Sequence, residues 1–174
     1  MYRYISGKII SIEGIDGCEK DTQVQHVSEY LENKGVEVVV YNFPKYDSAI
    51  GRCISDALTS IDYSPYALQL LFSADRAQQF QSVLLYLLLG KVVLIGRFKW
   101  SSYVYAVSRG LSRSWAKNIE SFVPDSDLTL LLDIDVATSV TRTGGQVVLE
   151  RNKVWQEQCR QEYLSLAKNA RFSL

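Results

Sequence analysis

Four short apolar runs separated by helical stretches constrain this chain more than any other feature. They are residues 8–13 (KIISIE), 36–42 (VEVVVYN), 92–95 (VVLI) and 128–134 (LTLLLDI). Each is rich in Val, Ile or Leu with little polar alternation, the pattern of strands covered on both faces in a parallel sheet. Parallel neighbours need crossover connections, and helical segments lie between the runs. Residues 21–33 lead to Lys34-Gly35, a helix stop. Residues 48–58 and 65–89 follow, with Pro65 suited to a first helical turn and Gly90 to a C-terminal stop. Residues 101–108, 112–120 and 136–141 read as shorter helices, and residues 153–170 place Trp155, Cys159, Tyr163 and Leu166 near one face. The expectation is an α/β fold, a doubly wound parallel sheet flanked by helices. Residues 169–174 (NARFSL) read as a loop entering a truncated fifth strand.

The 174 residues fit one domain, 1–174, long enough for a sizeable core. Lys+Arg and Asp+Glu both number 19, so no global field draws the chain to nucleic acid or an anionic membrane. The longest apolar run, 83–89, is far short of a membrane span, and the N-terminus has neither a signal h-region nor a small-residue cleavage site. Cys18, Cys53 and Cys159 are spaced too widely for a zinc knuckle or a CxxC pair. Three thiols without a framework point to a reducing, cytoplasmic location.

Between the first apolar run and the first helix lies Gly14-Ile15-Asp16-Gly17-Cys18-Glu19-Lys20-Asp21. A phosphate loop needs G-x-x-x-x-G-K-[ST] in this place: glycines let backbone N–H groups curl around phosphate oxygens, the lysine reaches the outer phosphates, and the hydroxyl holds magnesium. Gly14 and Lys20 match. Glu19 stands for the second glycine and Asp21 for the hydroxyl residue. Glu19 brings a side chain and a negative charge to a backbone that must approach a polyanion. Asp21 is a hard oxygen ligand for magnesium, yet repels a phosphate beside it. At about 4 Å two unit charges interact by roughly 4 kcal/mol at an effective dielectric near 20, so two acids offset most of what one lysine supplies. The alternative is a strand–turn–helix in which Asp21-Thr22 caps a helix.

Downstream segments bear on that choice. SIEGIDG (11–17), NFPKYDSAIG (42–51), LLFSADRAQQ (70–79), RFKWSSYVYAVSRGL (97–111), DLTLLLDID (127–135), TRTGGQVVLE (141–150) and QCRQEYLSLAK (158–168) occur in this order. Together they resemble the thymidylate kinase family of nucleoside monophosphate kinases nearly end to end, LLFSADRAQQ most specifically. The resemblance implies a five-stranded parallel sheet, transfer of the γ-phosphoryl group of ATP to dTMP with Mg2+, and a homodimer. It assigns Gly14, Asp16, Gly17, Lys20, Asp21 and Thr22 to the ATP phosphates, with Asp21 as the metal candidate. It assigns Phe43, Pro44, Lys45, Phe72, Arg76, Arg97, Ser102 and Tyr105 to dTMP. Phe72 would stack on the base and Arg76 contact it; an aromatic face and a guanidinium fork suit a planar base with carbonyl edges. Arg97 would hold the acceptor phosphate and Tyr105 lie beside the sugar. Lys20, Arg97 and Arg142, the last at the start of a lid over 142–150, would carry the catalytic charge, with Arg151 a further candidate.

The same comparison exposes departures. Gly96 stands where the family has an acid before the arginine, Ala106 where it has a glutamine, and Lys45 near a missing arginine. The sequence ends within the fifth strand, before the loop from which the family builds its adenine wall. Losing one transition-state contact costs about 2.7–4 kcal/mol, so several such losses predict weak or lost catalysis on a retained fold. The alternatives are an active enzyme with an unusual loop, or a non-catalytic binding or assembly subunit in which residues 98–105 supply interface area.

Overall fold

β1 (Lys8–Glu13) and β3 (Val92–Gly96) are the most buried strands and lie at the centre of a parallel sheet. β2 (Val38–Asn42) pairs with β3 at one edge, and β4 (Leu128–Leu131) joins β1 to β5 (Phe172–Ser173) at the other. The order is β2-β3-β1-β4-β5. This computed structural model describes residues 6–59, 63–144, 152–168 and 172–173. Seven helices are described: α1 (Lys20–Glu32), α2 (Ala49–Thr59), α3 (Pro65–Leu88), α4 (Lys99–Ser108), α5 (Arg113–Asn118), α6 (Val136–Thr143) and α7 (Lys153–Ala167). Among the described residues no helix is long and apolar enough to cross a membrane.

Strand alternation explains the two wound layers. Ile9, Val93 and Ile95 point to one face, where Phe80, Val83 and Leu87 of α3 cover them. Ile12 and Leu94 point to the other and meet Val24 of α1. A third cluster joins Ile15 and Leu131 to Val104 of α4 and to Trp155, Cys159 and Tyr163 of α7, the stripe expected from the sequence. The aromatic run 98–105 is largely taken up internally: Phe98 is buried, and Trp100, Tyr103 and Tyr105 pack against the α7 cluster.

Element boundaries moved for local reasons. β2 begins at Val38 rather than residue 36, because the Val36 N–H closes the end of α1 on Leu31 O at 3.1 Å while Gly35 turns at φ 78°. β4 stops at Leu131 because the chain then turns into α6, whose N-cap Asp135 accepts from Thr138 N at 2.9 Å. α1 begins at Lys20 with Glu19 as N-cap in the left-handed region, φ 60° and ψ 37°, and Glu19 makes no side-chain cap bond. Asp21 and Thr22 lie inside the helix rather than capping it. The fifth strand is present as the two residues 172–173. All these strands run the same way, so the loops after β1, β2 and β3 gather at one edge, where open parallel sheets place their ligands.

Candidate functional site

The loop after β1 has the curvature of a phosphate cradle but is filled by its own side chains. Gly14 and Gly17 turn at φ 150° and 73°. A Cβ at Gly17 would stand 2.7 Å from the Ser139 carbonyl oxygen, so this position admits only glycine. Glu19 adopts the left-handed conformation that a glycine would take freely, at a cost of about 1–2 kcal/mol. The Lys20 ammonium is buried and donates to Gly14 O at 2.8 Å, Ile15 O at 2.6 Å and Cys18 Sγ at 3.3 Å. An ammonium has three N–H donors, and all three are engaged. Burial, and then Arg97, depress its pKa below the ordinary lysine value. Glu19 pairs with Arg142 at 3.5 Å, and Arg142 Nη1 also donates to Gly17 O at 3.3 Å.

Arg97, directly after β3, also has a left-handed backbone, φ 59°, and its N–H is fixed on Ile12 O at 3.1 Å. Its guanidinium lies 3.8 Å from Asp16 and 3.5 Å from Asp21. Burial works against its charge, and Tyr105, Asp16 and Asp21 outweigh it, holding the pKa above the ordinary value. Tyr105 of α4 donates to Asp16 Oδ1 at 3.2 Å. Burial, and then Asp16, raise its phenol pKa well above normal. These groups wall a cleft of about 330 Å³ shared with Asn42, Phe43, Pro44, Phe72, Arg109 and Trp155.

A narrow extension of about 30 Å³ leads between Phe43, Pro44 and Phe72 to Arg76 and Ser102. Here the segment ADR of α3 does two separate jobs. Asp75 is buried and accepts from Lys45 N at 2.9 Å, which fixes the turn after β2. Arg76 is buried and grips Glu120 through Nε at 2.9 Å and Nη2 at 2.6 Å. Ser102 Oγ donates to Glu120 Oε1 at 2.8 Å and is itself bonded by Gln69 Nε2.

The structure thus brings together Asp16, Asp21, Phe43, Pro44, Phe72, Arg76, Arg97, Ser102 and Tyr105 along one cleft. Gly14, Gly17 and Lys20 form the adjoining loop. Thr22 is exposed on α1 and Lys45 is exposed after β2; neither side chain lines the cleft. The lid over 145–150 and Arg151 lie outside the described residues. Glu120, Asn42, Arg109 and Trp155 were not singled out as site residues from sequence. Glu120 had a signal, since an arginine between apolar helix turns needs a partner, but its position 44 residues away did not. Trp155 sits on the apolar stripe of α7 and reads as core.

The described carboxylates do not gather into a three-ligand metal cluster. Among the described residues no three His, Cys, Asp or Glu side chains converge, and Asp16 and Asp21 both face Arg97. Gly96 leaves the position before Arg97 without a carboxylate, and a Cβ there would press on Asn42 Oδ1. A magnesium ion arriving on nucleotide phosphates needs fewer protein ligands, and Asp21, whose side chain is exposed beside Arg97, would be the carboxylate to meet it.

Behind the loop, Glu13 is fully buried; its Oε2 accepts from Ser101, while Oε1 has no hydrogen-bond partner among the described residues. Burial raises its pKa above the ordinary 4.5, against opposition from Ser101, Lys20 and Arg76. A carboxyl with a raised folded pKa holds its proton after the unfolded chain has released one. Stability from this group is therefore present at low pH and is lost as pH rises from about 4.5 through the raised value. Glu13→Gln should remove that decline. Denaturant unfolding across the window should show the variant gaining on the parent as pH rises; parallel profiles would mean that Glu13 does not titrate differently in the folded state.

A family model described as thymidylate kinase matches residues 12–174. The probable thymidylate kinase of Pyrococcus abyssi is 37% identical over 174 aligned residues, covering 93% of this chain and 83% of that protein. The thymidylate kinase of Thermoanaerobacter sp. strain X514 is 34% identical, covering 94% and 85%. That of Schizosaccharomyces pombe is 31% identical over 146 aligned residues, covering 83% and 69%.

Proposed function

Because the chain belongs to the thymidylate kinase family, we propose that it binds dTMP in the cleft between Phe72 and Arg97 and transfers phosphate from ATP weakly or not at all. Thymidylate kinases in general use ATP and Mg2+. The observation that carries the reading is the occupied loop. Lys20 has all three donors on its own chain, and Glu19 holds Arg142. A nucleotide phosphate must pull Lys20 off two carbonyls and displace Glu19 from Arg142 before either cation serves it. On the acceptor side Phe72 and Arg97 line the cleft of about 330 Å³ and Arg76 its narrow extension, with Arg76 held in place by Glu120 and Arg97 by Asp16 and Asp21. Exposed leucines on α3, Leu70, Leu85 and Leu88, with Leu89 at its C-cap, support pairing of two copies.

A coupled ADP-release assay with dTMP, ATP and Mg2+ tests the proposal beside thermal-shift titrations of each nucleotide. dTMP alone should raise the melting temperature by mass action, ATP should raise it far less, and turnover should stay below about 1 s⁻¹, the lower end for kinases. Faster turnover would show that the loop opens readily and that the acids do not disable it.

A further inference from the structure

The cleft carries a corner that none of the assigned contacts uses. Arg109 follows α4 as its C-cap, one helical turn beyond Tyr105, and Trp155 sits in the first turn of α7, where the Asn152 side chain accepts its backbone N–H at 3.1 Å. The Trp155 ring packs on Tyr105 with centroids 5.4 Å apart, and the Arg109 guanidinium lies 5.5 Å from the Trp155 ring centre. Both residues line the cleft with Asp16, Arg97 and Tyr105.

The hydrogen-bond inventory here is unbalanced. Arg109 Nη1 and Trp155 Nε1 are buried donors, and among the described residues neither has an acceptor. Trp155 is only 7% exposed. The nearest acid on this wall, Asp16, already accepts from Tyr105 and faces Arg97. Burial depresses the Arg109 pKa, and no carboxylate forms an ion pair with it among the described residues. A buried donor without an acceptor is costly, and a native protein keeps one where a ligand, water or ion completes it. Two such donors beside an arginine, one of them a cation, match an anionic oxygen.

We propose that Arg109 and Trp155 are positioning residues for the phosphate of the acceptor nucleotide, Arg109 binding a phosphate oxygen opposite Arg97 and the Trp155 N–H a second. The inference rests on reading this cleft as the acceptor site. It makes the Tyr105–Trp155–Arg109 stack a contact between α4 and α7 at the edge of that site.

Calorimetric titration of the full chain with dTMP and with thymidine, which lacks the phosphate, separates a phosphate contact from a structural role. Arg109→Met should weaken dTMP by about tenfold or more, the scale of a charge-assisted hydrogen bond, and leave thymidine unchanged. Arg109→Lys should recover part of the loss. Trp155→Phe, which keeps the ring and removes the N–H, should weaken dTMP by about threefold, the scale of a neutral hydrogen bond, again without effect on thymidine. Equal losses for dTMP and thymidine, or no loss for dTMP, overturn the proposal, and Trp155→Phe decides alone if Arg109→Met does not fold. Should the parent chain bind neither dTMP nor thymidine, the acceptor reading falls by itself. Inorganic phosphate then tests the corner: quenching of tryptophan fluorescence that disappears in Trp155→Phe supports it, and absence of that quenching overturns it.

Discussion

Replacing Glu120 by alanine should lower the unfolding free energy by about 3–5 kcal/mol, the cost of leaving a buried charge without its partner. The side chains of Arg76 and Glu120 are only 3% and 4% exposed, so water cannot take over from the lost carboxylate. The damage spreads, because Ser102 donates to the same carboxylate and Gln69 bonds Ser102. One substitution therefore strips the acceptors from one side of the cleft extension. Two controls isolate the charge. Glu120→Gln keeps an oxygen for Ser102 and should cost less than alanine. The double replacement Arg76→Met with Glu120→Leu removes both charges and should recover most of the loss, because apolar groups of similar volume substitute well for buried ion pairs. It should nevertheless abolish dTMP binding if Arg76 reads the base. Chemical denaturation measures the first effect and dTMP titration the second. A loss for Glu120→Ala below about 1 kcal/mol, the range of exposed pairs, would mean that the pair is solvated and that Arg76 is free to move.

This pair shows what was legible in the sequence and what was not. The central strands were visible because strands buried on both faces must be almost continuously apolar, as VVLI and KIISIE are. The ends of β2 and β4 were not, because Val36 and Asp135 serve helix termini, and that competition is decided by backbone geometry. The motif residues of the cleft were legible through LLFSADRAQQ and RFKWSSYVYAVSRGL, which lie on two adjacent elements. Their partners were not. Glu120 lies just beyond α5, and Trp155 looks like any other aromatic residue on an apolar helix stripe. Glu19 is the instructive case. The sequence showed an acid beside Lys20, and the expected consequence was repulsion of phosphate. The structure adds that Glu19 retains a left-handed backbone and turns its carboxylate to Arg142, so the loop keeps its shape while its charge is neutralised from within.

Restoring the loop should therefore have a larger effect on activity than any single loss in the acceptor site. Glu19→Gly removes the carboxylate that holds Arg142 and suits the φ of 60° at that position. Asp21→Thr releases one of the two acids facing Arg97 and supplies a hydroxyl for a nucleotide-borne magnesium. Together they should tighten ATP and raise turnover by about 10²–10³, the worth of one recovered transition-state contact. Gly96→Asp should add less on its own than the loop pair, because its Cβ meets Asn42 Oδ1 at the paired position of β2 and the Asn42 side chain must swing aside. Combined with Asn42→Ala it gains room for a carboxylate at the cleft end of β3. The order of effects separates two causes. If the loop pair restores ATP affinity while turnover still waits for the Gly96→Asp and Asn42→Ala pair, the acids block binding and the missing carboxylate limits chemistry. If neither pair raises ATP affinity, Glu19 and Asp21 are not what keeps the nucleotide out, and the engagement of Lys20 with its own backbone, which neither pair changes, is the remaining cause.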